Sequence, residues 1–103
     1  MKKHVFTVSD FREAWNEVIK SHHTKLLDKD AITLLKKTSD EKLGNSTLFS
    51  ELGLDFISTM EIVNAMENLH GVGINGIEAA IGSDENLTVK EFLELLTENQ
   101  EEL

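Results

Sequence analysis

The groups in this 103-residue chain that could do chemistry are four histidines, nineteen Asp and Glu residues, and a scatter of Ser and Thr hydroxyls. There is no Cys, so disulfides, thiolate metal sites and a Cys nucleophile are excluded, and the redox compartment stays open. His22 and His23 form the one adjacent histidine pair. Successive residues on a helix point about 100° apart, so these two rings do not converge on one metal ion. His4 and His70 are isolated in the sequence, and no metal site is expected. Gly71-Val72-Gly73 lacks both the remaining glycine and the preceding strand of a phosphate-binding loop. The carboxylates stand at helix-surface spacings, the pattern of a solvated face, and no paired general acid and base stands out. Asn45-Ser46-Thr47 matches a glycosylation sequon, which matters only in a secreted protein. No catalytic residue is assigned, and the chain reads as a non-enzyme.

Helices are the elements expected to carry these groups, because the apolar positions follow the helical period almost throughout. The best strand candidate, Val5 to Val8, is too short and too isolated to build a sheet. A first helix is expected from about Asp10 to His22, capped by Ser9 or Asp10, with Asp10 and Glu13 at capping-box spacing. Phe11, Trp15, Val18 and Ile19 form its apolar stripe. A second is expected from about Asp28 to Lys37, with acids at its positive end and Lys36 and Lys37 at its negative end. Residues 38–55 read as a loop of turn formers, with Leu48, Phe49, Leu52 and Leu54 tucked onto the core. A third helix starts at Asp55 and runs to about Leu69, ended by Gly71 and Gly73. Thr59, Ile62, Val63, Met66 and Leu69 face inward. A short helical piece over about Gly76 to Ile81 is broken by Gly82-Ser83-Asp84. The last helix opens at Thr88 with Glu91 completing a capping box, and Val89, Phe92, Leu93 and Leu96 make its stripe. The tail from Glu98 reads as acidic and frayed. The expected fold class is all-α: a small bundle of three main helices plus a short one, a long loop, and an extra N-terminal helix.

The length suits one domain, and the 40% hydrophobic content suits one modest core. No apolar run approaches the roughly 20 residues that span a bilayer. No apolar segment of signal-peptide length follows Met1-Lys2-Lys3-His4, so a cytoplasmic protein is expected. The net charge of −9 is uneven. Residues 1–48 carry nine Lys and Arg against seven Asp and Glu, a balance of +2; residues 49–103 carry Lys90 against twelve acids, a balance of −11. So acidic a half repels nucleic acid and anionic membranes. It either steers toward basic patches on partner proteins or simply keeps a small domain soluble, and charge alone does not choose.

The stretch Leu48-Phe49-Ser50-Glu51-Leu52-Gly53-Leu54-Asp55-Phe56-Ile57-Ser58-Thr59-Met60-Glu61-Ile62-Val63 resembles the signature of acyl carrier proteins. The Leu52-Gly53 turn, Asp55, Thr59, Glu61 and Val63 match it in register. Gly71 to Ile74 is similar to the apolar return after that family's second helix, Asn75 to Ile81 to its short third helix, and Leu87-Thr88-Val89 to the start of its last. The match covers about residues 24–97. It divides the chain into an extra helix over 1–23, an acyl-carrier-like domain over 24–97 and an acidic tail over 98–103.

In the family the residue after the Asp is a Ser that carries phosphopantetheine. Here it is Phe56, which has no hydroxyl, so no cofactor is expected at that position. Several readings stay open. The protein could keep the carrier fold without the arm, with Phe56 as an exposed anchor or folded into the acyl slot. Ser58 could accept phosphopantetheine instead, although two residues on its hydroxyl points to a different side of the helix. Phe56 could replace the Ser of a parent sequence, or it could simply pack under the long loop.

The resemblance also implies a docking face on the third helix. Asp55, Glu61 and Glu67 stand where the family meets basic patches of partner enzymes, and Phe56, Ile57 and Met60 share that face. Ser58 and Asn68 stand where the family is often acidic, and His70 where it commonly has an apolar aromatic. The same acids read equally as an ordinary solvated helix face. The function implied is that of a non-catalytic acyl-carrier-like protein docking to fatty-acid or polyketide-type biosynthetic enzymes, with no nucleic-acid or membrane partner. The alternatives are a true acyl carrier loaded at Ser58 and a helical adaptor or regulatory protein unrelated to acyl transfer. A monomer is expected, with dimerisation through the N-terminal helix as the other arrangement.

Overall fold

The computed structural model describes residues 4–22, 33 and 36–102. Helix α1, Val8–His22, begins two residues before the expected start. Its cap is Thr7: the Thr7 hydroxyl accepts from the Asp10 amide at 3.2 Å, and the Asp10 carboxylate accepts from the Thr7 amide at 2.9 Å. This is the reciprocal capping box in which Asp10 is the third helical residue instead of the cap itself. The expected stripe faces inward: Phe11, Trp15 and Val18 are in the core, Ile19 lies half-buried against it, and Ala14 joins them. The helix expected over 28–37 falls mostly outside the described residues; Thr33, Lys36 and Lys37 within it are helical.

The segment read as a loop contains a short helix, α2, Asp40–Gly44. Ser39 caps it by accepting from the Lys42 amide. Beyond it the chain turns through Thr47 and crosses Thr88 in an antiparallel bridge, with the Leu48 amide donating to the Leu87 carbonyl at 3.0 Å. Leu48, Leu52 and Leu54 are buried as expected, and Phe49 is partly so.

Helix α3, Phe56–His70, follows its Asp55 cap and ends at Gly71, whose φ of 65° is the left-handed conformation that glycine adopts without a Cβ clash. Ser58, Thr59, Ile62, Val63 and Met66 are buried on one stripe. Leu69 is not: at 39% exposure it borders a cleft beside Glu17 and Val18 of α1 instead of entering the core. Helix α1 packs chiefly on α3.

After Gly71 the chain extends as β1, Val72–Ile74, antiparallel to β2, Gln100–Glu102, with Gly73 opposite Glu101. The tail therefore pairs with β1 where fraying was expected. The reason is local: three extended residues after a helix leave backbone donors and acceptors that need partners, and the tail supplies them. The described residues are mostly helical, in line with the all-α expectation at that coarse level, and this one small sheet is the departure from it. Helix α4, Glu78–Ser83, starts two residues later than expected and runs through Gly82. Helix α5, Val89–Glu98, has the anticipated capping box of Thr88 and Glu91 and buries Val89, Phe92, Leu93 and Leu96. One core joins these elements, with Phe11 of α1 set edge-on to both Trp15 and Phe92.

No helix among the described residues is long and apolar enough to cross a membrane.

Candidate docking site at the start of α3

The start of α3 is fixed by Asp55, whose extended backbone lets its carboxylate accept from the Ser58 amide at 2.7 Å. Thr59 adds a second tie, its hydroxyl donating to the Asp55 carbonyl at 2.8 Å. These bonds tie the first helical residues to Asp55, and the side chains at 56 and 57 project from that capped start.

Phe56 is 42% exposed and Ile57 is 61% exposed. Among the described residues the exposed large apolar side chains are Val5, Phe56, Ile57 and Leu69, and Phe56 and Ile57 are the adjacent pair, at a helix N-terminus. One edge of the Phe56 ring faces α4: its Cε1 lies 3.8 Å from where a Cβ on Gly82 would stand. Met60 and Glu61, one turn on, are half-buried and continue the same side of the helix. Asp55 is exposed beside them. The structure thus brings Asp55, Phe56, Ile57, Met60 and Glu61 to one end of the helix.

Two other candidates are placed elsewhere. Ser58 is completely buried, so its hydroxyl is not presented to a second protein in this conformation. Glu67 is half-buried, and its Oε2 accepts the Ile74 amide at 2.9 Å, which ties β1 to α3. An open groove of about 640 Å³ lies apart from this end of α3, among residues 5–8, α2 and α5.

The other end of α3 holds a cluster that reading along the chain does not reveal. His4 and His70, isolated in sequence, stack with ring centroids 4.2 Å apart and planes 24° apart. Asp10 lies against both: His4 Nε2 is 3.0 Å from Oδ2, and His70 Nε2 is 3.6 Å from Oδ1. Burial pushes the Asp10 carboxyl up, but the Thr7 amide, the His4 hydrogen bond and the neighbouring His70 and His4 outweigh it and hold the group below its ordinary 3.8. Phe6 stands edge-on to both imidazoles. The only sequence signal was Thr7 and Asp10 at capping-box spacing; the meeting with His70 is tertiary.

No family model, no curated protein and no solved structure matches the chain.

Proposed function

We propose that the protein is a non-catalytic, acyl-carrier-like docking module whose recognition surface is the start of α3. The observation that carries this reading is the exposure of Phe56 and Ile57 on a capped helix end, where the resemblance places the arm-bearing residue. Two apolar anchors beside Asp55 and Glu61 suit a partner with an apolar pocket rimmed by basic residues. The acidic balance of residues 49–103 favours encounter with such a partner. Phe56 supplies no attachment oxygen and Ser58 is buried, which supports a chain that docks without carrying phosphopantetheine over one loaded at Ser58. Fatty-acid or polyketide-type enzymes are the partner class this reading names.

The test is the intact mass of the chain after incubation with coenzyme A and a broad-specificity phosphopantetheinyl transferase. The parent is expected to stay unmodified, while Phe56→Ser gains one phosphopantetheine group. A parent that is modified, and loses the modification in Ser58→Ala, would establish the true-carrier alternative. If neither parent nor Phe56→Ser is modified, this helix end is not a surface that the carrier-modifying enzyme recognises, and the reading fails.

A further inference from the structure

The geometry points to a binding site for a first-row divalent transition-metal ion, of the zinc class, formed by His4, Asp10 and His70. Three observations carry it. The first is distance. One ligand atom from each residue lies within 4.8 Å of the other two. A tetrahedral ion with bonds of about 2.0–2.1 Å sets its ligand atoms roughly 3.3 Å apart. His4 Nε2 lies 3.0 Å from Asp10 Oδ2, as a hydrogen bond, and His70 Nε2 lies 3.6 Å from Asp10 Oδ1, so each is near that edge length but to a different oxygen of the carboxylate. The two rings are stacked in this structure, with centroids 4.2 Å apart, so they must turn apart for both Nε2 atoms to face one ion.

The second is an unmet valence. His70 Nε2 is buried and has no hydrogen-bond partner, although the ring sits beside a carboxylate. A buried ring nitrogen in that state lacks the partner that such groups ordinarily have. A metal ion between His70 and Asp10 supplies one.

The third is that the backbones of the ligands are already held. Asp10 is locked into the first turn of α1 by its reciprocal bonds with Thr7. His70 is the last residue of α3, directly before the glycine that ends it. His4 is gripped from β2: its amide donates to Gln100 Oε1 at 2.9 Å, and Gln100 Nε2 donates to its carbonyl at 2.6 Å. Ordering costs for the ligands are therefore already met by the fold.

Two imidazoles and one carboxylate favour zinc, cobalt(II) or nickel over magnesium and calcium, which take oxygen ligands. Three protein ligands leave a fourth corner for water. Bound there, the ion ties the N-terminal segment, the start of α1 and the end of α3 together.

Cobalt(II) titration of the untagged full chain, followed by visible absorption and zinc displacement, tests the site. One equivalent is expected to bind. Affinity should fall at least about tenfold in His4→Gln and in His70→Gln. It should be unchanged in a variant carrying His22→Gln and His23→Gln, the adjacent histidines elsewhere in the chain. Absence of cobalt(II) absorption in the parent overturns the proposal, as does equal affinity in His4→Gln, or loss of binding only in the His22 and His23 variant. Circular dichroism checks that His70→Gln stays folded; if it does not, His4→Gln, on a segment outside the helices, decides alone.

Discussion

At the start of α3, Phe56 and Ile57 stand in solvent; at its end, His4, Asp10 and His70 are gathered behind Phe6. Each end departs from ordinary burial, and in opposite senses. Leaving a large apolar side chain exposed forgoes about 1.5–3 kcal/mol of burial. Withdrawing polar groups from water costs free energy unless they find partners. The thirteen residues between Phe56 and His70 share one buried stripe of Ser58, Thr59, Ile62, Val63 and Met66, so the contrast does not come from a difference in the helix itself. It comes from what surrounds each end. At the first turn, among the described residues, the edge of the Phe56 ring meets α4 at Gly82. The last turn is wrapped by the N-terminal segment, the start of α1 and, through Gln100, β2. The proposed docking surface lies at the open end, and the proposed ion site at the wrapped one.

The comparison presumes that the middle of α3 bears the fold, and the largest effect should come from there. Met66 is fully buried, and Met66→Ala is expected to cost about 3 kcal/mol in chemical denaturation. A cost below that of a change at either end would show that the helix is anchored by its ends. Next in size is the wrapped end. Asp10→Ala removes an N-terminal capping bond and the hydrogen bond to His4, and should cost about 2 kcal/mol at neutral pH with a chelator present. The pH dependence has a definite sign. The folded carboxyl titrates below its ordinary 3.8, so its stabilisation is complete above that value and is lost as pH falls through the lowered one. The gap between parent and Asp10→Ala should therefore narrow below pH 3.8. A gap that stayed constant would mean that the charge of Asp10 does no stabilising work at this end.

Much of the helical frame was legible because its signals are local. The stripes of α1, α3 and α5 repeat at the helical period, and Thr88 with Glu91 announces its own cap three residues away. Asp55 was legible as the start of a helix by the same means, whereas Phe56 and Ile57 were singled out by the resemblance to acyl carrier proteins. The rest depended on partners distant in sequence. Nothing near Gln100 says that it will face Ile74, so β2 reads as a tail. Nothing near Glu67 says that it will take the Ile74 amide, so it reads as a free acid. His4 and His70 read as solvated because their neighbours in sequence are not their neighbours in space. Helix α2 is a different omission: Ser39 was read only as a turn former, although in the fold it caps a short helix by accepting from the Lys42 amide.

The smallest expected effect has the opposite sign and bears on the open end. Gly82 lies inside α4 and has no positive φ, so alanine there should gain about 0.5–1 kcal/mol by restricting the unfolded chain. The new Cβ would meet Phe56 Cε1 at 3.8 Å, an ordinary van der Waals distance. Thermal denaturation of Gly82→Ala should therefore show a modest rise in midpoint. A fall would mean that the Phe56 ring sits closer against α4 than an open face allows. The two ends of α3 would then differ less than their exposures indicate, because Phe56 would be a packing residue of the bundle and only Ile57 would remain to meet a partner.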